Sequence, residues 1–392
     1  MALDGATLRA AGEALTLPPA GRLRLVAVGK CATAAAAALA EVCGSALSDG
    51  IVLDVAEAPR LPLRRMTVLH GTHPMPSAAN VEATRSILRF LEGARPEDVV
   101  LGVVSGGGST LLCLPPDGSS FEDERVVLQA LFRAGATIQE INTVRKHCSL
   151  ARGGHLARAA RPARVIGLIF SDVPGGTLDL VASGPTVRDP STVADAARVL
   201  ERHGLPAPGA RRFPLVETPK NPADFSRVRN AVLVSNQVAL SAMAESARRE
   251  RFAAEVRTAT LSGEAREVAR QVARDLHAAP PGTALLYGGE TTVTVRGAGR
   301  GGRNLELALG ALGALADDEL VLTLATDGRD NGDLAGGIAD AVTRRDAHRA
   351  GADPAVYLTA NDSYGFFERV PHALETGPTG ANVADLIVAL KR

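Results

Sequence analysis

The sequence has no tryptophan and only three tyrosines, and aromatic residues make up 3% of its 392 positions. So few aromatic side chains argue against a surface on which nucleic-acid bases stack in succession. Neither positive nor negative charge is in excess, because 43 basic residues balance 43 acidic ones. A neutral chain gains little from the electrostatic attraction that draws proteins to nucleic acid or to anionic membranes. We therefore expect neither nucleic acid nor a membrane among its partners.

Cysteines and long apolar runs are also scarce. The four cysteines occur without the CxxC spacing that is typical of metal or redox sites, so we expect reduced thiols. No apolar run approaches the roughly 18–20 residues that a membrane helix needs. The first 15 residues lack the basic and apolar regions of a secretion signal. These absences predict a cytoplasmic protein.

Strands and helices alternate along most of the chain. Short apolar runs at Leu23–Val28, Val99–Val104 and Arg164–Phe170 predict buried strands, and segments with helical periodicity follow them. This alternation predicts an α/β fold with a mostly parallel sheet covered on both faces. The proline-rich stretch Leu205–Asp224 has no periodicity and is interpreted as a linker. We therefore predict two domains, at residues 1–224 and 225–392.

Polar and glycine-rich loops follow the predicted strands of the first domain. In a parallel sheet, ligands bind at the carboxyl ends of the strands. The residues at these positions are Gly29 and Lys30, the run Ser105, Gly106, Gly107, Gly108 and Ser109, and Asp172. Successive glycine N–H groups can form an anion site, although a tight turn alone would explain some of the glycines. Lys30 could bind an anion or lie on the surface, and Asp172 could act as a base, as a Mg²⁺ ligand or as a helix cap.

The second half has a similar set of loops. Candidate site residues follow its predicted strands: Asn236, Gly289, Glu290, Asp327 and Gly328, with Asn382 in a polar segment near the end of the chain. Amides, carboxylates and bare backbone suit phosphate and Mg²⁺ better than acyl transfer. The sequence has no GxxxxGK[ST] motif, so it is not a P-loop nucleotidase.

A possible dinucleotide fingerprint, GxGxxG, spans Gly297 to Gly302. It lies between a predicted strand at Thr291–Val295 and a predicted helix. The strand alternates polar and apolar residues, unlike the buried first strand of a dinucleotide-binding unit. Arg300 and Arg303 also make the loop cationic, which fits binding of a charged group.

In order, these segments resemble the class II glycerate 2-kinase family, whose C-terminal part is known as the MOFRL domain. Matching strings cover nearly the whole chain, among them VAVGKCA, HGTHPMPS, VVSGGGSTLL, GGETTVTVRGAGRGGRNLELAL, ATDGRDNGDLAGG and ETGPTGANVADLIVAL. The chain departs from the family pattern at Gly176-Thr177, where an acidic pair is common, and at Arg329, after Asp327-Gly328.

The resemblance implies two α/β domains, the first with a parallel three-layer sheet and the second with a mixed sheet, and an active site in the cleft between them. It also implies ATP-dependent phosphorylation of the 2-hydroxyl of D-glycerate with Mg²⁺. The family's essential residues fall on Lys30, Asp172 and Arg303. We expect Lys30 and Arg303 to stabilise the transferred phosphoryl group, and Ser105–Ser109 to bind a carboxylate or phosphate.

The remaining roles are expectations of the same kind. Asn236 is expected to contact the substrate or a phosphate. The nucleotide is expected at Gly289, Glu290, Asp327, Gly328 and Asn382, with Asp172 and Glu290 as the Mg²⁺ ligands. The sequence is also compatible with a homodimer.

Three functional hypotheses remain open from the sequence. The first is the ATP-dependent glycerate kinase. The second is an NAD(P)-dependent hydroxypyruvate reductase, which depends on the glycines from Gly297 to Gly302. The third is a sugar-acid sensor without turnover. ADP release from ATP with D-glycerate, NADH oxidation with hydroxypyruvate, and binding without turnover distinguish them.

Overall fold

A computed structural model describes residues 2–4, 7–10, 13–16, 20–56, 58, 61–171, 175, 178–205 and 214–392. The described residues divide into two compact units: those up to Ser171 together with those of 178–233, and Gly175 together with Val234–Arg392. The domain boundary predicted from the sequence is at 224/225, whereas unit 1 extends to Leu233, because the strand Val228–Val234 joins its sheet. Within the described ranges, no helix combines the length and the apolar character required to cross a bilayer.

Unit 1 is built on a six-stranded sheet of order β6-β5-β4-β7-β8-β9. These strands are β4 (Leu23–Val28), β5 (Leu47–Val55), β6 (Met66–Gly71), β7 (Val99–Val104), β8 (Arg164–Phe170) and β9 (Val228–Val234). The pairs from β6 through to β8 are parallel. Every residue of β4 and β7 is buried, as expected for strands with both faces covered; β7 is apolar throughout, and in β4 the one charged residue, Arg24, is paired with Asp49. The parallel sheet expected from the sequence is confirmed.

Helices cover this sheet and add a separate apolar cluster around α5 and α7. They are α1 (Ala32–Cys43), α2 (Ala78–Glu92), α3 (Gly108–Leu111), α4 (Phe121–Arg133), α5 (Ile138–His147), α6 (His155–Ala159) and α7 (Val193–Arg202). Ser120, Thr137 and Thr192 begin α4, α5 and α7 with capping boxes. In each, the hydroxyl accepts a backbone N–H three residues on, and the acidic residue there accepts the cap's own N–H, which fixes the helix start.

A small antiparallel sheet, which the sequence patterns did not predict, precedes β4. It consists of β1 (Ala2–Asp4), β2 (Thr7–Ala10) and β3 (Glu13–Thr16). Strands of three or four residues are too short to show a clear alternation of polar and apolar residues in the sequence.

Unit 2 has a mixed six-stranded sheet of order β10-β11-β15-β12-β13-β14. Its strands are β10 (Ala253–Leu261), β11 (Thr283–Gly289), β12 (Glu319–Ala325), β13 (Gly336–Ala339), β14 (Ala373–Leu374) and β15 (Asp385–Lys391). β10 and β11 are parallel, whereas β15 runs antiparallel to both β11 and β12. The mixed sheet implied by the family resemblance is therefore confirmed.

The helices of unit 2 pack on both faces of this sheet. They are α8 (Asn236–Arg249), α9 (Ala265–Ala278), α10 (Arg303–Leu312), α11 (Ala341–Arg349), α12 (Pro354–Ala360) and α13 (Ser363–Arg369). The main core lies against α9 and α10, and a smaller one against α8. The predicted strand at Thr291–Val295 is wrong, because Thr292 makes only an isolated bridge to Glu264. A polar–apolar alternation indicates a strand only where a neighbouring strand is present to pair with it.

Candidate functional site

In unit 1, the loops after β4 and β7 lie side by side. The two strands pair in parallel, with Val28 opposite Val104, so both loops leave the same edge of the sheet. The backbone N–H of Lys30 donates to the Gly106 carbonyl at 2.9 Å. Gly29 has φ +127°, and a Cβ there would lie 2.0 Å from the Ser105 Oγ. Glycine at this position therefore allows the two loops to touch, which is why Lys30 and the run from Ser105 to Ser109 come together.

The side chain of Lys30 extends over this glycine run. A Cβ on Gly107, which has φ +81°, would lie 2.8 Å from Cγ of Lys30. Lys30 is exposed, and it has no ion-pair partner among the residues described. The backbone N–H groups of Gly106 and Gly107 likewise have no acceptor in that part of the chain. An ammonium group and two N–H groups that have no partner among the described residues thus lie together, and these are donors that an anion would use.

Hydroxyl groups continue the same loop into the interior. Ser109 Oγ lies 2.9 Å from Ser183 Oγ, which donates to Asn142 Oδ1 at 2.7 Å. Ser183 and Asn142 are buried, so this hydrogen-bonded chain fixes the loop against α5. The third predicted residue of the first half, Asp172, lies outside the described residues.

Unit 2 contains a cavity of ≈ 890 Å³. Several predicted residues line it, namely Glu290, Arg303, Asp327 and Asn382. Gly289 ends β11, directly before Glu290. Gly328 has φ +87°, and a Cβ there would lie 1.9 Å from the Gly377 carbonyl oxygen, so glycine allows these two loops to touch beside the cavity-lining Asp327. The sequence therefore identified a set of residues that the fold of unit 2 brings together.

Arg303 is the first residue of α10, and two carboxylates hold it. Its Nε and Nη2 donate to the two carboxylate oxygens of Asp385, with Nη2 to Oδ1 at 3.0 Å. Nη2 also donates to Glu290 Oε1 at 2.8 Å. The pKa of the Arg303 guanidinium is raised above its usual value. The causes are the hydrogen bonds to Asp385 and the negative charges of Asp385 and Glu290. Nη1 has no hydrogen-bond partner in the described part of unit 2, so it remains able to bind an anion.

Asp385 is a residue that the site prediction missed. It begins β15 and is buried. The preceding Ala384 has φ +65°, a left-handed conformation that costs energy for any residue with a Cβ. Asn236 Nδ2 donates to the carbonyls of Val383 and Asp385, at 2.9 and 3.2 Å. Asn236 is itself buried, so its described contacts support the strand that carries Asp385, and its role in substrate binding remains a prediction.

A second carboxylate fixes the start of α10. Asp330 accepts the backbone N–H groups of Asn304 and Leu305 at 3.0 and 2.7 Å, and so caps the helix from a separate loop. Burial raises the pKa of Asp330, although these N–H groups oppose the shift. Gly302 leaves room for the cap, since a Cβ there would lie 2.2 Å from the Asp330 carbonyl oxygen. A cation at a helix N-terminus is unfavourable by itself, and the neighbouring carboxylates offset that cost for Arg303.

The remaining acidic and amide candidates have local contacts. Asp327 is exposed, and its Oδ1 accepts the backbone N–H of Arg329 at 2.9 Å. Asn382 is also exposed, and its Oδ1 accepts the N–H of Ala384 at 3.0 Å. Each keeps part of its polar group open to the cavity. Their assignment to the nucleotide remains a prediction.

The glycines from Gly297 to Gly302 pack against protein. A Cβ on Gly297 would lie 2.1 Å from the Ala360 carbonyl oxygen, and one on Gly299 would lie 2.4 Å from Asp362 Cβ. The N–H of Gly297 donates to Asn361 Oδ1 at 2.9 Å, and that of Gly299 donates to the Ala360 carbonyl at 2.9 Å. These glycines therefore allow close contact with the segment between α12 and α13. A dinucleotide fingerprint would instead present its backbone to a pyrophosphate.

The described residues do not form a ready-made metal centre. They contain no group of three or more His, Cys, Asp or Glu side chains arranged to hold an ion. Glu290, one of the two predicted ligands, forms an ion pair with Arg303. Kinases commonly bind Mg²⁺ through one or two carboxylates together with the substrate phosphates. The carboxylates of Glu290 and Asp327 at the cavity fit an ion that arrives with a nucleotide.

Comparisons with known proteins agree with this architecture. A family model described as a domain of unknown function, DUF4147, matches residues 3–212, and the model of the MOFRL family matches residues 283–385. The chain is 40% identical to a D-glycerate 2-kinase of Thermotoga maritima, over 97% of this chain and 94% of the relative. It belongs to the glycerate kinase family with a MOFRL domain.

Two further likenesses extend this result. A crystal structure of glycerate kinase from Thermotoga maritima matches with a TM-score of 0.90 and 39% identity, over 95% of this chain and 92% of that one. A relative from Agrobacterium vitis, provisionally named a hydroxypyruvate reductase, is 39% identical over 94% of this chain and 87% of its own. The family thus includes proteins that carry either of the two enzyme names considered from the sequence.

Proposed function

We propose that this chain transfers the γ-phosphoryl group of ATP to the 2-hydroxyl of D-glycerate, giving 2-phosphoglycerate and ADP. The hydroxyl oxygen forms a bond to the γ-phosphorus, and the bond from that phosphorus to the β–γ bridging oxygen breaks. ADP leaves with the electron pair of the broken bond. The hydroxyl proton passes to a base. Membership of the glycerate kinase family and the names of its relatives support this reaction.

The observation that carries the proposal is the arrangement around Arg303. Phosphoryl transfer needs cations placed in advance where charge is carried by the moving group. Asp385 and Glu290 fix the guanidinium at the cavity of unit 2 and leave Nη1 unused. In this proposal, Arg303 binds phosphate oxygens of the nucleotide through Nη1. Glu290, Asp327 and Asn382 bind the Mg²⁺–nucleotide substrate around it.

The anionic part of the acceptor is assigned to unit 1. There, Lys30 and the free N–H groups of Gly106 and Gly107 provide positive charge and donors at the end of the sheet. Asp172 is proposed, from the family motif alone, to orient the 2-hydroxyl and accept its proton or to bind Mg²⁺. A cytoplasmic location and a homodimer complete the proposal.

The alternative, an NAD(P)-dependent reductase, is less well supported by the geometry. It depends on the glycines from Gly297 to Gly302. The backbone of this loop already contacts Ala360, Asn361 and Asp362, where a dinucleotide-binding loop would contact the pyrophosphate. A pyrophosphate at this loop would have to displace α12 and α13 from it.

A direct assay tests the proposal. ADP release is followed with ATP, Mg²⁺ and D-glycerate, and NADH oxidation is followed with hydroxypyruvate. We expect ADP release that requires D-glycerate, and no NADH oxidation. Arg303→Ala should lower kcat by roughly 10²–10³-fold, as for other removed electrostatic donors. The control is Arg296→Ala, an exposed arginine that does not line the cavity. Wild-type NADH oxidation without ADP release would overturn the proposal.

A further inference from the structure

We propose that Arg145, together with Lys30, binds the carboxylate group of the hydroxy-acid substrate. The inference rests on the proposed function and names the residues that would select an acid as the acceptor. No carboxylate-binding arginine was identified in unit 1 from the sequence. The argument starts from three contacts, each of which brings a different element to the loop between Ser105 and Thr110.

The first contact places Lys30 on this loop, where its methylene chain covers Gly107. The second brings in the segment after β6, because Thr110 Oγ1 donates to the Pro74 carbonyl at 3.3 Å and so holds His73 beside the loop. The third brings in α5, through the hydrogen bonds that join Ser109, Ser183 and Asn142.

Arg145 lies one helical turn after Asn142 and so shares its face of α5. That face is turned toward the loop, since Asn142 is tied to Ser109 through Ser183. Burial, followed by the charges of Lys30 and Arg145, lowers the pKa of the His73 imidazole below its usual value. His73 is therefore neutral near pH 7 and adds no third positive charge. Lys30 and the segment that carries His73 therefore meet at this loop, and α5 presents Asn142 and Arg145 toward it.

Arg145 is poorly compensated by the protein. Its Nε is buried and has no hydrogen-bond partner among the residues that the structure describes. It forms no ion pair among the described residues, and the nearby Glu124 is already paired with Arg152 at 2.7 Å. Burial, and then the charge of Arg152, lower the pKa of Arg145 to about 10. A guanidinium kept in such a position without a carboxylate is costly unless a ligand supplies the anion.

The geometry of the group favours a carboxylate. A guanidinium presents parallel N–H donors whose spacing matches the two oxygens of a carboxylate. An ammonium group adds charge without a fixed direction, which suits the second cation. A nucleotide phosphate has related chemistry, so the experiment separates the two sources.

The test uses the full-length enzyme and the variants Arg145→Met and Arg145→Lys. KM is measured separately for D-glycerate and for ATP. Loss of a charge-assisted pair should raise the KM for D-glycerate by roughly 10- to 100-fold and leave the KM for ATP within about twofold. Arg145→Lys should recover part of the loss. Arg133→Met, at an exposed position of α4, is the matched control and should leave both constants unchanged.

Several outcomes would overturn the inference. One is a rise in the KM for ATP instead of that for D-glycerate, because the bound anion would then be a phosphate. Another is an unchanged KM for D-glycerate in a folded Arg145→Met variant. If Arg145→Met does not fold, the comparison is made with Arg145→Lys, and an unchanged KM in that variant counts against the inference in the same way.

Failure of the proposed function gives a different pattern. In that case the wild type shows no turnover, and binding is measured by calorimetry with D-glycerate and with glycerol, which lacks the carboxylate. Binding of D-glycerate but not glycerol that disappears in Arg145→Met supports the carboxylate site without a kinase reaction. Absence of D-glycerate binding in the wild type overturns both.

Discussion

Asp385 should support activity only through Arg303, and Asp385→Asn tests this dependence. The substitution keeps the shape of the side chain and removes the charge that both Nε and Nη2 of Arg303 use. Breaking a fully buried ion pair costs about 3–5 kcal/mol. Arg303 is 36% exposed and keeps its contact with Glu290. We therefore expect a smaller loss of unfolding free energy, about 2 kcal/mol.

The effect on catalysis should be larger than this loss of stability suggests. Without Asp385, the guanidinium can turn toward Glu290 and leave the phosphate position, so we expect kcat to fall roughly 10- to 100-fold. In an Arg303→Ala background, the same Asp385→Asn change should have little further effect, because residues that act as one unit are not additive. The readouts are kcat and KM for ATP, together with urea unfolding of all four proteins.

A second arginine–aspartate pair provides the control. Arg344 and Asp317 also form an ion pair in unit 2, but Asp317 is 90% exposed and neither residue lines the cavity. Asp317→Asn should leave kcat unchanged and cost no more than about 1 kcal/mol of stability. Equal losses of kcat from Asp385→Asn in the wild-type and Arg303→Ala backgrounds would refute the reasoning.

Two further predictions concern stability. Burial and the charge of Arg158 lower the pKa of His155 to about 3, so the folded chain binds one proton fewer than the unfolded chain between about pH 3 and pH 6.5. Stability is therefore lost as the pH falls through this range, by about 2 kcal/mol at pH 5 from this group, and urea unfolding of His155→Gln should show a correspondingly weaker pH dependence. Gly302→Ala should displace the Asp330 cap and destabilise unit 2 by at least about 1–2 kcal/mol, whereas Gly313→Ala, at the open end of α10, should be tolerated. Equal melting temperatures for the two glycine variants would contradict this account of the cap.

The sequence predicted best the strands that are buried on both faces. β4, β7 and β8 are apolar apart from Arg24 and Arg164, because both faces of the parallel sheet are covered, and their predicted bounds agree with the structure. The strand expected at Thr291–Val295 failed for the opposite reason. Its alternation fits a half-exposed strand, but Thr294 is instead held by the carboxylate of Glu264.

The candidate site was predictable where its polar residues directly follow neighbouring strands of one sheet. Lys30 and the run from Ser105 to Ser109 follow adjacent strands, so the topology of the sheet brings them together. Asp385 was missed because its partner Arg303 lies 82 residues away, and only the antiparallel insertion of β15 brings them within hydrogen-bond distance. The signal that could have found it is a carboxylate at the very start of an apolar strand.

The central position of β15 has a consequence for the synthesis of the protein. β15 follows every other strand of its sheet along the chain, yet it lies between β11 and β12 and pairs with both. While the ribosome is still making the chain, β11 and β12 have no partner between them, and the carboxylate that orients Arg303 has not been translated. Unfinished chains therefore lack the central strand of the second unit until residues 385–391 have left the ribosome.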